Sequence, residues 1–221
     1  TASQFHLFTH AMFKALLFLG AGVVIHAVHS NEMKDMGGLR KQLPVTHITF
    51  LIACLAIAGI PPLSGFFSKE EILLAAYNSN KMIFGIALFT SGLTAFYMFR
   101  LYFSIFWNKP ASQSHHGKEG SFALLFPLVV LAIGAVFAGF IPFGNYVSSD
   151  GLPLLTSLHL QFSIAPVLIG IAGILLAFWF YKNKNDRSGK LATVLSGFYT
   201  TALNKFYIDE LYLFFTNKVL F

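Results

Sequence analysis

Long apolar stretches, separated by short polar clusters, dominate the pattern of the chain. Five of them run over residues 5–29, 46–77, 82–107, 122–143 and 160–181. A helix of about 20 predominantly apolar residues crosses the hydrocarbon core of a bilayer. The pattern therefore predicts an all-α, polytopic membrane helix bundle with about five transmembrane helices.

The second apolar stretch is interrupted by Gly-Ile-Pro-Pro at residues 59–62. Proline removes a backbone donor, and glycine loosens a helix. Inside a membrane, the carbonyl groups freed in this way must face protein or water rather than lipid. Broken helices of this kind mark ion sites in transporters. We therefore predict a helix that is broken at 59–62 and lines a cavity.

The last part of the chain has a different pattern. Residues 191–221 mix aromatic residues with Lys205, Asp209, Glu210 and Lys218, which predicts the start of an amphipathic helix lying along a surface. We thus expect a transmembrane domain at 1–182 and an amphipathic segment at 191–221. Because the apolar pattern begins almost at once and the amphipathic pattern is cut at the last residue, we expect a piece of a longer protein.

Composition agrees with a membrane protein, since 56% of the residues are hydrophobic and 11% are charged, against about 25% charged in soluble domains. The net charge is +6, but the basic residues lie in loops between spans and act as topology signals rather than as a nucleic-acid surface. The loops at one side carry most of them, which predicts that this side faces the cytoplasm. These residues are Lys34, Arg40, Lys41, Lys109, Lys118, Lys182, Lys184, Arg187 and Lys190.

Metal and redox chemistry find little support in the sequence. Cys54 is the only cysteine, and it lies in an apolar run, which excludes an internal disulfide or a zinc site built on cysteines. His115 and His116 have no carboxylate or cysteine at ligand spacing, so we interpret them as part of a solvated loop. We expect no metal and no redox cofactor in this chain.

Three ionisable residues of the first span, His6, His10 and Lys14, follow one another at intervals of four. In a helix such residues share one face, with about 6 Å of rise between them. A neutral histidine accepts a proton on one ring nitrogen and releases one from the other, and a desolvated lysine can load and unload near neutral pH. Since ionisable residues well inside a span are functional by default, we interpret them as a proton path rather than as side chains reaching for the interface.

Lys69 and Glu70 follow the predicted break by about two turns, with Glu71 beside them. They could instead form a polar loop after a span that ends early, but an apolar run resumes at residues 72–76. We therefore interpret Lys69 and Glu70 as further members of the proton path. His26 and His29 end the first span, where proton sampling and interfacial anchoring are equally open interpretations.

Four motifs are distinctive: THAMFKALLFLGAG at 9–22, MGGLRK at 36–41, AGIPPLSGFFSKE at 58–70 and FYIDELY at 206–212. Together they resemble the antiporter-like subunit L of bacterial NADH:quinone oxidoreductase (respiratory complex I), whose mitochondrial counterpart is NADH dehydrogenase subunit 5. The motifs up to residue 70 are long and specific. Residues 84–189 match in pattern more than in individual residues.

The resemblance implies that this is the C-terminal half of a proton-translocating subunit. The family's ladder of His and Lys matches His6, His10 and Lys14, and its Lys with a following acid on a broken helix matches Lys69 and Glu70, near the proposed proton exit. The last residues match the start of a long lateral helix. NADH, FMN, iron–sulfur clusters and quinone would bind to partner subunits, an adjacent antiporter-like subunit would be a neighbour, and the location would be the bacterial plasma membrane.

Two other functions are compatible with the same pattern. One is a transporter without redox coupling, either the large subunit of a multi-subunit sodium/proton antiporter or the membrane partner of an inorganic-carbon uptake system. The FYIDELY motif favours complex I. The other is a purely structural membrane subunit, which the ionisable residues inside the spans disfavour.

Overall fold

The computed structural model describes residues 2–107, 119–142, 146, 160–183 and 186–220. These residues are predominantly helical, and no strand occurs among them. The chain divides into two compact units, Thr1–Lys184 and Asn185–Phe221. His115, His116, Lys109 and Lys118 lie outside the described residues, and so does the loop at 147–159.

The first unit contains six helices within its described residues: α1 (Ala2–Val28), α2 (Pro44–Ala58), α3 (Ser64–Ser79), α4 (Lys81–Phe106), α5 (Phe122–Phe137) and α6 (Leu160–Tyr181). Four of the spans, made by α1, α4, α5 with the 3₁₀ turn that follows it, and α6, are long and apolar enough to cross a membrane. The helices α2 and α3 are shorter, with 15 and 16 residues. The predicted helical membrane bundle is confirmed, and its second span consists of two helices rather than one.

Packing places α2 and α3 in the middle of this unit. Helix α1 packs against α2, α3 and α5, whereas α4 packs against α2, α3 and α6. The core between them is aromatic and aliphatic, with Phe13, Leu16, Phe50, Phe106 and Leu128 fully buried. Large apolar side chains also cover the outside, as expected where lipid replaces water. On α1, α4 and α5 the most exposed of these are Phe18, Met82, Phe89 and Phe122, at 71–79%.

One end of the bundle is held by polar and aromatic contacts around the start of α2. The Glu119 carboxylate accepts hydrogen bonds from the Thr46 backbone N–H at 2.8 Å and from the Thr46 hydroxyl at 3.1 Å, which caps the first turn of α2. His47 Nε2 lies 2.7 Å from the Tyr102 hydroxyl, which also accepts a hydrogen bond from Trp107 Nε1 at 3.2 Å. These contacts join the first turn of α2 to α4 and to the residues that precede α5.

The second unit is a succession of short helices: α7 (Arg187–Val194), α8 (Ser196–Leu203) and α9 (Ile208–Phe215). A 3₁₀ turn at Lys205–Tyr207 separates the last two, and its three residues have left-handed backbone angles (φ 53° to 57°) that no α-helix accommodates. Lys205 and Asp209 form an exposed ion pair of 2.7 Å across this turn. Over the described residues the segment is therefore not one continuous helix, and its position along a surface stays a prediction.

Candidate functional site

The break between α2 and α3 is a helix end followed by a tight turn. Gly59 has a left-handed backbone (φ 78°), and its N–H donates to the Ala56 carbonyl at 3.0 Å, while the Ile60 N–H donates to the Leu55 carbonyl at 3.1 Å. This pair of bonds is a Schellman cap, which glycine permits because it has no Cβ. The chain then turns through Pro61 and restarts as α3. The sequence thus produces two abutting helix ends inside the bundle.

The two helix ends approach each other closely at Gly65. A Cβ atom at position 65 would overlap the backbone carbonyl oxygen of Ala56. Gly65 is itself buried, so neither helix end has room to move aside. The second turn of α3, which carries Lys69 and Glu70, is therefore held in a fixed position beside the last turn of α2.

Lys69 points from α3 toward α4, where its ammonium group donates a hydrogen bond to the Ser91 hydroxyl at 3.2 Å. Ser91 is 8% exposed. The methylene chain of Lys69 passes beside the cap of α2, since a Cβ at Gly59 would lie 3.2 Å from Lys69 Cδ. The glycine of the break therefore provides the space in which the lysine lies.

Glu70 points toward α6 instead. Its carboxylate oxygen Oε1 accepts a hydrogen bond of 2.6 Å from the Ser163 hydroxyl. Glu70 is 4% exposed, and a buried carboxylate is tolerated only where such partners stabilise it.

A small cavity of about 10 Å³ lies between these groups. This volume is at the lower limit for one water molecule. Its lining combines the end of α2 with polar groups of α3, α4 and α6, namely Ala58, Gly59, Phe66, Lys69, Glu70, Ser91, Ser163 and Pro166. Lys69 and Glu70 thus share an enclosed polar site next to the helix break.

The ionisable stripe of α1 approaches the same region. The His6 and His10 rings are neighbours, with centroids 5.6 Å apart, and the His10 ring contacts Phe13 edge to face at 5.3 Å. His6, His10 and Lys14 are all partly buried. The charge of Lys69 acts on His6, and that of Lys14 acts on His10. Four of the five residues that the sequence predicts as a proton path, His6, His10, Lys14 and Lys69, are therefore linked to one another, and Glu70 lies beside Lys69 at the cavity.

Two hydroxyl groups join α1 to α3. The Ser68 hydroxyl lies 3.0 Å from His6 Nδ1 and accepts a hydrogen bond from the Thr9 hydroxyl at 2.8 Å. Thr9 and Ser68 are fully buried. A hydroxyl group both donates and accepts, so it can receive a proton at its oxygen as it releases its own. Ser68 therefore links the His6 side chain of α1 to the turn of α3 that carries Lys69.

We expect Ser68→Ala to lower the free energy of unfolding of the full-length protein by about 1–3 kcal/mol, because the His6 ring loses its hydrogen-bond partner and the buried Thr9 hydroxyl keeps only the more distant of its two acceptors, the His6 carbonyl at 3.2 Å. Equilibrium unfolding in mixed micelles measures this change. Ser79→Ala on the exposed end of the same helix is the matched control, and it should stay within about 0.5 kcal/mol. Equal stability of the two variants would contradict the proposed bridge.

Sequence reasoning missed four polar residues of this site: Thr9, Ser68, Ser91 and Ser163. Each has an ordinary small side chain that the sequence gives no reason to single out. Only Ser163 could have been noticed in the sequence, because it belongs to a series of small residues at helical spacing. The series is Ser163, Gly170, Gly173 and Ala177, all of which are buried. Small residues at such spacing indicate close helix packing in membranes, although they do not indicate a hydrogen bond to a carboxylate.

Metal ligands do not assemble at this site. Within the part of the chain that the structure describes, no group of three or more His, Cys, Asp or Glu side chains lies close enough together to hold a metal ion. The thiol of Cys54 is fully buried in the core.

Comparison with protein-family models identifies the second half of the chain. Residues 97–219, more than half of the sequence, match the model described as NADH dehydrogenase subunit 5 C-terminus. The chain belongs to this family. Residues 1–94 match the model described as NADH:quinone oxidoreductase/Mrp antiporter, TM. This part of the chain contains His6, His10, Lys14, Lys69 and Ser91. The resemblance seen in the sequence motifs is thereby confirmed.

Curated relatives of the subunit 5 family agree. The chain is 39% identical, over 96% of its length, to NAD(P)H-quinone oxidoreductase chain 5 of Picosynechococcus. It is 37% identical, over 97% of its length, to NADH-quinone oxidoreductase subunit L of Rickettsia bellii, and 37% identical, over 96%, to the chloroplastic NAD(P)H-quinone oxidoreductase subunit 5 of Chlorokybus atmophyticus. The chain spans 36–38% of the length of these relatives.

Proposed function

We propose that the chain is the C-terminal part of the membrane subunit that translocates protons in NADH:quinone oxidoreductase, where electron transfer from NADH to quinone drives pumping. The observation that carries the proposal is the contact between His6 and Ser68. It joins the ionisable stripe of α1 to the broken helix that carries Lys69 and Glu70. Family membership and the names of the relatives support the same function.

In this proposal Lys14 receives protons from the centre of the membrane, and His10 and His6 pass them along α1. Ser68 and Thr9 connect His6 to the start of α3. Lys69 then controls release, because its ammonium lies at an enclosed cavity that has room for about one water molecule. Glu70 provides the negative charge beside it. Buried ionisable groups in such an order are typical of proton relays in membranes.

The redox chemistry lies in partner subunits. Cys54 is the only cysteine of the sequence, so this chain has too few thiolates to hold an iron–sulfur cluster. The resemblance to subunit L implies that NADH, FMN, the clusters and quinone bind to partner subunits, with an adjacent antiporter-like subunit as the neighbour in the membrane. The surplus of lysine and arginine in one set of loops and the bacterial relatives support a place in the bacterial plasma membrane.

A second candidate function is the large subunit of a multi-subunit sodium/proton antiporter. It is favoured by the match of residues 1–94, since the description of that model covers Mrp antiporters as well. The match of residues 97–219 favours NADH:quinone oxidoreductase. The two candidates differ in whether proton movement requires NADH or sodium.

One experiment distinguishes the two candidate functions. It compares inverted membrane vesicles from cells that lack the full-length protein with vesicles from cells in which the protein has been restored. We expect restoration to raise the number of protons pumped per NADH oxidised, with no dependence on sodium. Acidification of the vesicles is followed with a pH-sensitive dye while NADH oxidation is followed by absorbance. Sodium-driven proton exchange that persists without NADH would support the antiporter instead.

A further inference from the structure

Helix α6 lies outside the part of the chain that matches the model shared with antiporters, and yet it contacts the proton site. Lys14, Lys69, Glu70 and Ser91 all fall within residues 1–94, whereas Ser163 falls within the 97–219 match. The Ser163 hydroxyl donates to Glu70 Oε1 at 2.6 Å, and Ser163 is 5% exposed. A segment that matches the subunit 5 C-terminus model therefore contributes a polar group to the site.

We propose that Ser163 is a positioning residue for Glu70, which holds the carboxylate at the cavity that it shares with Lys69. This inference rests on the proposed function, because it assigns a role within that proton path. Ser163 acts through the carboxylate, to which its hydroxyl donates.

The packing of α6 explains why the hydroxyl arrives at this position. One face of the helix is made of small buried residues, Ser163, Gly170, Gly173 and Ala177. At Gly170 the helix comes so near to α2 that an added Cβ would lie 3.1 Å from the Ala58 carbonyl oxygen. Small residues allow such close approach of helix backbones in a membrane. The face that carries Ser163 is thus pressed against the helix break.

Pro166 brings the same turn of α6 to the cavity. It lies inside the helix and lines the cavity together with Ser163. Because proline has no N–H, the carbonyl of Phe162 lacks its usual partner four residues further on. The turn around Ser163 therefore makes one backbone hydrogen bond fewer than a regular helix.

The hydrogen bond has a direct effect on the carboxylate. A donor at 2.6 Å stabilises the charged form of a buried carboxyl group. Its loss removes one hydrogen bond from this buried carboxylate, so Ser163→Ala should change how the site behaves in pumping. A role in packing alone would not move the pH dependence of pumping.

The test compares Ser163→Ala, which removes the hydroxyl, with Ser163→Thr, which keeps it, in the full-length protein within the assembled complex. Ile164→Ala is the control, since Ile164 is the next residue and is 58% exposed. The pH profile of NADH-driven pumping is measured for each variant. We expect a shift of about one pH unit for Ser163→Ala and the wild-type profile for Ser163→Thr and Ile164→Ala.

Infrared spectroscopy provides a readout that does not depend on pumping. The carboxylate band of Glu70 is assigned by its disappearance in Glu70→Gln, and we expect it to shift in Ser163→Ala and to return in Ser163→Thr. An unchanged band overturns the inference whatever the pumping shows. A shifted band with an unchanged pH profile overturns the functional role of Ser163, while the proposed proton translocation is judged separately by substitution of Lys69.

If the alanine variant does not assemble, Ser163→Cys, a weaker donor of similar size, should shift both readouts in the same direction.

Discussion

Lys69→Ala in the full-length protein should abolish NADH-driven proton pumping while the complex still assembles. Lys69 is the group of the site that can both bind and release a proton at the cavity beside the helix break. Alanine removes the ammonium and its hydrogen bond to Ser91, and it interrupts the proposed proton path between the histidines of α1 and the release side. Pumping is measured as vesicle acidification per NADH oxidised, and assembly is measured by native electrophoresis of the solubilised complex.

Lys69→Arg distinguishes proton transfer from a fixed positive charge. Arginine stays protonated at all physiological pH values, and its guanidinium is large for a cavity of about 10 Å³. We therefore expect pumping to be lost in this variant as well. Retained pumping in Lys69→Arg would mean that the site needs only a positive charge.

Lys34→Ala is the matched control for these substitutions. Lys34 lies outside the spans, its side chain is 71% exposed, and its ion pair with Glu32 is 4.0 Å long. Such exposed pairs contribute little, so this variant should pump like the wild type. If Lys69→Ala also pumps at the wild-type level, the broken helix has only a structural role, although the family membership is unaffected.

The membrane bundle could be predicted because its signal is long and repeated. Apolar stretches set the position of the spans to within a few residues, and the prolines at 61–62 together with Gly59 set the break. The pattern could not predict the residue at which each helix ends. The fourth span was predicted to reach residue 143, but α5 ends at Phe137 and only a 3₁₀ turn, Ala138–Phe140, continues it.

The candidate site was predictable only where its residues are unusual for a membrane. Lysine, histidine and glutamate inside apolar spans are costly and therefore conspicuous. Their partners are serine and threonine, which occur in membrane helices for many reasons. The contacts Lys69–Ser91 and Glu70–Ser163 join residues 22 and 93 positions apart, and such pairs follow from packing of α3 against α4 and α6 rather than from any local pattern.

Lys69 and Glu70 are adjacent in sequence, but their side chains contact different helices. Successive residues of a helix point about 100° apart, since 3.6 residues make one turn. The lysine therefore reaches α4 and the glutamate reaches α6, and the cavity lies between them. A broken helix is suited to this arrangement because the end of α2 leaves space that a continuous helix would fill.

Gly65→Ala is expected to destabilise the full-length protein by at least about 3 kcal/mol, which is large for the addition of one methyl group. The new Cβ would overlap the Ala56 carbonyl oxygen. Because the obstacle is backbone rather than a flexible side chain, α2 and α3 must separate, and overpacking of this kind costs about 1–3 kcal/mol or more. Separation also moves Lys69 away from Ser91, so pumping should fall together with stability.

Gly85→Ala in α4 is the control, and the expected change in the free energy of unfolding has the opposite sign. A Cβ at Gly85 meets nothing within 4 Å, and alanine is favoured over glycine inside a helix by about 1 kcal/mol. This variant should be as stable as the wild type or slightly more stable. Unfolding in mixed micelles compares the two substitutions, which add the same methyl group. If Gly65→Ala is as stable as Gly85→Ala, the ends of α2 and α3 do not abut, and the position of Lys69 must be explained by its contact with α4 alone.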